Sequence, residues 1–239
     1  MEKGETLEAL ACGGLSILQK RDGYRFSQDA YLLAAFVDEK PETAVLEIGS
    51  GSGVVAILLA GIKRLSLTGV EVQEDLAAMS RRAVEMNGLG TRIRIVDGAV
   101  QSYAGPKVAA VVTNPPYRPA CTGRVNPQTQ KAIARHEVLL DLETLLENAY
   151  RNLEGKGRFY CVYPVWRLGE LLAAMRTHRL EPKRLCLVHP AADQSAELAL
   201  VMGLKDGGTE LKVEAPFFIR TIDGGYSPAM QRVFAELRM

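Results

Sequence analysis

Short apolar runs alternate with helix-length stretches along most of the chain, and the pattern changes period at nearly every boundary. Gln28 to Val37 reads as an amphipathic helix. Ala44 to Ile48 and Leu65 to Val70 read as strands flanking an apolar helix that follows a glycine turn. Glu74 to Asn87 contains good helix formers, with Leu76, Met79, Ala83 and Met86 on one face, and Gly88 is placed to end it. Ile93 to Val96 and Val108 to Val112 continue the strands. Further on, the pattern predicts a helix over Leu142 to Leu153 stopped by Gly155, a strand over Arg158 to Tyr163 and a helix over Val165 to Thr177. Two strands, Arg184 to His189 and Ala196 to Gly203, close the series. Strands alternating with helices imply an α/β fold with a doubly wound, mostly parallel sheet, whose ligands bind at the carboxyl ends of its strands.

Composition bounds this picture. With 239 residues and 47% hydrophobic content, the chain can bury a sizeable core. The expected organisation is a single domain over 1–239, with 1–40 as an N-terminal cap segment and 41–239 as the sheet and its helices. No internal repeat or low-complexity linker interrupts it. No membrane-length apolar tract occurs, and Met1-Glu2-Lys3-Gly4-Glu5 does not read as a signal peptide, so a cytoplasmic protein without membrane contact is expected. Cys12, Cys121, Cys161 and Cys186 lack the paired spacing of a zinc site, and no metal is expected. Cys121 lies in the presumed substrate loop, where its oxidation would matter most.

Candidate chemistry concentrates at three strand ends. At the first, Glu47-Ile48-Gly49-Ser50-Gly51-Ser52-Gly53 leads into the apolar helix. Its glycines allow a tight turn and close approach of a ligand, and the helix offers its N-terminus. The spacing is G-x-G-x-G, with Val54 where a dinucleotide fingerprint places its third glycine. Glu47 would repel a pyrophosphate but favour the cationic methionine moiety of S-adenosylmethionine. At the second strand end, Glu71 can accept from both ribose hydroxyls of a nucleoside. At the third, Asn114-Pro115-Pro116-Tyr117 follows the run Val108 to Val112. Prolines hold φ near roughly −65° and lack N–H groups, so carbonyl acceptors stand in fixed orientation beside the Asn114 side-chain oxygen. Two such acceptors can take both hydrogens of a planar amino group and aim its lone pair at an electrophile, with Tyr117 offering a stacking face. That suits methyl transfer to an adenine, cytosine or amide nitrogen.

These motifs resemble the successive cofactor and catalytic motifs of class I S-adenosylmethionine-dependent amino methyltransferases. Gly23 to Ala30, Ala134-Arg135-His136-Glu137 and Gly225-Tyr226-Ser227-Pro228 are in addition similar to the bacterial tRNA1(Val) adenine-N6 methyltransferase group, some members of which are labelled predicted O-methyltransferases. The resemblance runs from about Leu15 to Pro228. It implies a Rossmann-like, seven-stranded sheet with a C-terminal antiparallel hairpin, S-adenosylmethionine as cofactor and tRNA as partner, methylated at N6 of an anticodon-loop adenosine of a valine tRNA. It also implies that Phe26, Ser27 and Gln28 close over the methionine end of the cofactor; Ser27 as a simple helix N-cap is the competing reading. Relatives usually carry an aspartate after a glycine at the end of the third strand to hold the adenine. Here Ala99 follows Gly98, and Asp97 is the nearest substitute, with backbone around Gly98 and Ala99 expected to help.

Net charge is +1, which argues against a large indiscriminate nucleic-acid surface. One local patch stands out. Arg118, Arg124, Lys131 and Arg135 fall in a segment without an acidic residue directly after the catalytic tetrapeptide. Cations there can hold phosphates of an incoming RNA, with His136 either shaping the loop or meeting the RNA. His178 is expected to cap the helix before it, His189 has no assigned role, and Trp166 is expected in the core or at its rim, with a substrate platform as the competing reading. Three alternatives stay open: methylation of a protein glutamine amide, methylation of a small molecule, and an RNA-binding module with a degenerate methyltransferase fold.

Overall fold

In chain order, the described residues of this computed structural model (2, 4–22, 25–115 and 141–239) begin with an antiparallel hairpin of β1 (Glu5–Ala9) and β2 (Ser16–Lys20). There follow α1 (Gln28–Phe36), β3 (Ala44–Ile48), α2 (Val54–Lys63), β4 (Ser66–Glu71), α3 (Glu74–Met86), β5 (Ile93–Asp97) and β6 (Val108–Thr113). Beyond residue 140 come α4 (Leu142–Asn152), β7 (Leu153–Pro164), α5 (Leu168–Thr177), β8 (Leu180–His189) and β9 (Leu198–Lys205). The short strands β10 (Lys212–Val213) and β11 (Phe217–Phe218) and the helix α6 (Pro228–Glu236) end the chain.

Seven long strands lie in the order β8-β9-β7-β6-β3-β4-β5, and β10 and β11 both add in parallel to β8. The pairings are parallel except around β9, which runs antiparallel to both β7 and β8. The expected C-terminal hairpin is therefore present, with its second strand inserted between the first and the rest of the sheet. Side chains along each strand alternate between the two layers, as the pleat requires. Val45, Ala110, Val112 and Tyr160 pack with α1, α2, α3 and α6, whereas Leu46, Val111 and Phe159 pack with α4 and α5. Burying each large aliphatic side chain contributes about 1.5–3 kcal/mol, so both faces hold the sheet.

Three boundaries differ from the sequence pattern for local reasons. The helix α4 ends at Asn152, one residue before the expected Leu153, and Gly155 lies within β7, because Leu153 is already extended as the first residue of that strand. The buried Lys205 ammonium of β9 donates to the carbonyls of Tyr150 at 2.7 Å and Leu153 at 2.8 Å, satisfying the helix end from outside. Val165 to Arg167 form a 3-10 turn instead of the first turn of α5, since the Val165 amide donates across to Glu197 O at 2.9 Å. The last two long strands run to Leu180 and Lys205, beyond the expected limits, as their antiparallel pairing continues there. Gly88 meets its expectation. With φ at 65°, it sits just past α3, and the amides of Gly88 and Leu89 reach back to the carbonyls of Glu85 and Val84.

The sheet positions the site. Chain order reverses between β3 and β6, whose carboxyl ends lie side by side with Ile48 paired to Thr113. The Thr113 hydroxyl donates to Ile48 O at 3.0 Å and pins the two ends together. Such a switch point opens a crevice at the strand ends, where ligands of this architecture bind.

Candidate active site

The turn after β3 is built from left-handed backbone at Gly49, Gly51 and Gly53, with φ of 73°, 54° and 85°. A Cβ added at Gly49 or Gly51 would meet nothing within 4 Å, so these two residues keep open space in front of the turn. Gly53 differs, because a Cβ there would stand 2.2 Å from Ser80 Oγ of α3. The turn is tied down from behind. The amides of Gly49 and Ser50 donate to Val70 O at 2.9 and 3.2 Å, and Gly53 N donates to Ser50 O at 2.8 Å. Gly53 is also the N-cap of α2, which aims its first amides toward the same space.

Glu71, at the end of β4, is buried and braces this turn. Its Oε2 accepts the Gly51 amide at 2.7 Å and its Oε1 accepts the Gln73 amide at 2.9 Å. Two oxygens offer about four lone-pair sites, so capacity for a ligand hydroxyl is left. Glu47 is buried on β3 as well, and its Oε2 has no hydrogen-bond partner among the described residues. Burial pushes its carboxyl well above the usual range; the Ala56 amide opposes that shift and the Glu71 charge adds to it. Ser50 Oγ and Ser80 Oγ are further buried oxygens without a partner among the described residues.

Asp97 ends β5 in register with Glu71 and is exposed at the rim. Gly98 follows with φ at 142°, its amide donating to Glu71 O at 2.9 Å, and Ala99 leads into a 3-10 turn at Val100–Ser102. The exposed carboxylate and the backbone at Gly98 and Ala99 thus share one rim with Glu71. Val72, 38% exposed directly after Glu71, adds an apolar surface that sequence reasoning passed over. A single valine in a chain full of valines carries no signal until the strand end is located.

On the other side of the crevice stand Asn114, half-buried, and Pro115, buried, immediately beyond the Ile48–Thr113 pair. Pro116, Tyr117, Arg118, Arg124, Lys131, Arg135, His136 and Cys121 lie outside the described residues. Of the pre-sheet segment, Phe26 is half-buried and packs its ring 6.0 Å from Tyr31, while its amide donates to Gln19 Oε1 of β2 at 2.9 Å. Ser27 holds the N-cap position of α1, but its side chain makes no cap bond and pairs with Asp29. Gln28 Nε2 donates to Tyr226 Oη at 2.7 Å.

A model of the methyltransferase small domain family matches residues 25–165, a span that contains the glycine turn, Glu71, Asp97 and Asn114. The chain belongs to that family. Curated relatives include the tRNA1(Val) (adenine(37)-N6)-methyltransferases of Tolumonas auensis, 26% identical over 88% of each chain, and of Aeromonas salmonicida, 29% identical over 87% of each. Among solved structures, a predicted O-methyltransferase from Agrobacterium tumefaciens superposes with a TM-score of 0.67 at 20% identity, covering 86% of this chain and 95% of that one. That likeness extends to the arrangement of the sheet.

S-adenosylmethionine is the methyl donor that this fold and family imply, and the turn fits such a group. Gly49 and Gly51 leave room that any Cβ would fill, Glu71 supplies acceptors beside it, and Glu47 leaves a buried oxygen underneath. The rest of the chemistry-bearing residues of this methyltransferase are structural where they are described. Cys12, Cys161 and Cys186 are free and buried, their thiols pushed up by burial. His178 occupies the C-cap of α5 as expected, yet its ring also reaches Glu143 of α4, with Nε2 2.5 Å from Oε2. His189 Nδ1 lies 2.8 Å from Gln194 O. Among the described residues no cluster of His, Cys, Asp or Glu suits a metal ion, and no helix is long and apolar enough to cross a membrane.

Tyr226 and its neighbours carry an unforeseen role. Ser227 caps α6, its Oγ accepting the Met230 amide at 3.0 Å and donating to Phe218 O at 2.6 Å, and Pro228 starts the helix. Capping fixes the segment that presents Tyr226 to Gln28. The signal in sequence was Ser-Pro ahead of an apolar-periodic stretch, a helix start.

Proposed function

We propose that the protein methylates the exocyclic N6 of an adenosine in the anticodon loop of a tRNA, with S-adenosylmethionine as donor. The observation that carries this reading is the pairing of Ile48 with Thr113, which puts the Asn114–Pro115 acceptors directly beside the open glycine turn. The names of the two curated relatives supply the substrate class. A cytoplasmic location and a single-domain organisation, with residues 1–40 as a cap, belong to the same reading. The β1–β2 hairpin supports the cap assignment, because Ser16 and Asn87, the residue that caps α3, exchange two hydrogen bonds at 2.9 and 2.7 Å.

When bound, S-adenosylmethionine supplies an electrophilic methyl group on a sulfonium. Glu71 accepts from the ribose hydroxyls, and Asp97, Val72 and the Gly98–Ala99 backbone frame the base. Gly49, Gly51 and Gly53 give the close approach. Glu47 lies beneath, where a nearby cation stabilises its ionised form and opposes the upward push of burial. Phe26, Ser27 and Gln28 close the methionine end. Asn114 Oδ1 and the Pro115 carbonyl accept the hydrogens of the target amino group and stabilise the positive charge that develops on its nitrogen. Pro116 belongs to the same motif, Tyr117 is assigned to stack on the extruded base, and Arg118, Arg124, Lys131, Arg135 and His136 are assigned to the flanking RNA. An anticodon-loop base leaves its stack more cheaply than a duplex base.

The test is transfer of labelled methyl to unmodified tRNA, followed by nucleoside mass spectrometry. N6-methyladenosine is expected. Asn114→Ala should lower turnover on the order of 10²–10³-fold while leaving cofactor affinity close to wild type. Incorporation into protein glutamine instead, or none into tRNA by a protein that binds the cofactor, overturns the RNA assignment.

A further inference from the structure

The carboxyl edge of the sheet continues past the crevice onto β7, the strand next to β6. Thr113 pairs with Cys161, and β7 runs on to Pro164 before the 3-10 turn Val165–Arg167. That turn carries Trp166, the only tryptophan in the chain, with 67% of its surface exposed. A single exposed apolar residue is ordinary. The setting of this one is not. The Arg167 guanidinium lies 5.8 Å from the Trp166 ring and 5.4 Å from the Tyr163 ring. Glu170 accepts two hydrogen bonds from that guanidinium, at 2.8 and 2.7 Å, and offsets its charge. The turn is itself anchored by the Val165 amide on Glu197 O. The indole thus lies beside a paired cation and is largely open to solvent, just past the end of the strand that neighbours the one leading into Asn114.

We propose that Trp166 is a stacking platform for an unpaired nucleobase of the RNA substrate, next to the base that enters the crevice. This rests on the tRNA reading above and names a contact which that reading lacks. A flat aromatic face accepts any base, and such a contact is worth about 1–3 kcal/mol per base in single-strand recognition. Because Glu170 already matches the Arg167 charge, the platform recognises a base and not a phosphate. The contact therefore adds affinity without adding counterion release.

Trp166 itself reports the test. Being the sole tryptophan, its fluorescence should be quenched on titration with an unmodified valine tRNA transcript, and not by S-adenosylmethionine alone. Trp166→Ala should raise the KM for the transcript by about tenfold, a loss within the range set for one stacked base, with kcat and cofactor affinity near wild type. Trp166→Phe should recover most of that loss. The slope of log affinity against log salt should be the same in wild type and Trp166→Ala. If wild type methylates the transcript, but its fluorescence is unmoved and Trp166→Ala keeps the wild-type KM, the platform is wrong and the tRNA reading stands. A shallower salt slope in the variant also overturns base stacking, in favour of a phosphate contact. If wild type binds cofactor but methylates no tRNA, both fall together.

Discussion

The two flanks of the sheet carry their chemistry differently. On the β3–β4–β5 side, the working parts are mostly backbone: three left-handed glycines and amides held to Val70 and Glu71, with the Glu47 and Glu71 carboxyls buried behind them. On the β7–β9–β8 side, the feature past the strand end is a side chain, Trp166, exposed on a 3-10 turn. A backbone site tolerates almost no change of residue type, whereas a displayed side chain can be removed with the fold intact. The first suits a cofactor of fixed shape. The second suits a substrate that arrives in many conformations.

Gly53 should break the comparison most sharply. An alanine there pays for left-handed backbone and for collision with Ser80 Oγ, so Gly53→Ala should lose about 2–5 kcal/mol of stability together with measurable cofactor binding. The matching change on the other flank is Gly169→Ala, at a helical position with open space around it, which should be neutral or stabilising by about 0.5 kcal/mol. Denaturant unfolding and cofactor titration of the two variants check this; equal effects would show that the turn is not sterically set. Next in size is Ser227→Ala, which removes the cap of α6 and the donor to Phe218 O. A loss of about 1–2 kcal/mol is expected in the same unfolding assay.

The smallest effect concerns the N-terminal hairpin. Arg82 of α3 pairs with Glu5 through two hydrogen bonds, at 2.9 and 2.5 Å, and these hold the Glu5 pKa down to about 2. A carboxyl whose folded pKa is lowered stabilises fully above its unfolded value, roughly 4.5, and that contribution fades as pH falls toward 2. Stability measured from pH 5 down to 2 should therefore fall less steeply in Arg82→Ala than in wild type. Parallel curves would remove Glu5 from the account of acid sensitivity.

The same contrast explains what could be read before any coordinates. Glu47 to Gly53 was legible because left-handed φ admits few residue types, so the constraint writes itself into sequence. The long strands were legible because burial on both faces leaves apolar runs such as Val108 to Val112. The hairpin β1–β2 was not, since Glu5, Glu8, Gln19 and Lys20 make its edges polar and its packing depends on α3, far along the chain. The strands β10 and β11 are two residues each and exist only because β8 offers an open edge. The end of α4 was placed within one residue, but Gly155 was credited with a stop that an ammonium on β9 supplies from 52 residues away. Trp166 was legible as a residue but not as a display, which is decided by where β7 stops.

The Gln28–Tyr226 hydrogen bond spans 198 positions of sequence. Closing so long a loop is slow relative to local contacts. The contact between the start of α1 and the segment ahead of α6 is thus among the slowest to close. A chain cut before residue 226 would keep the glycine turn and lose the bond that holds the start of α1 to the segment ahead of α6.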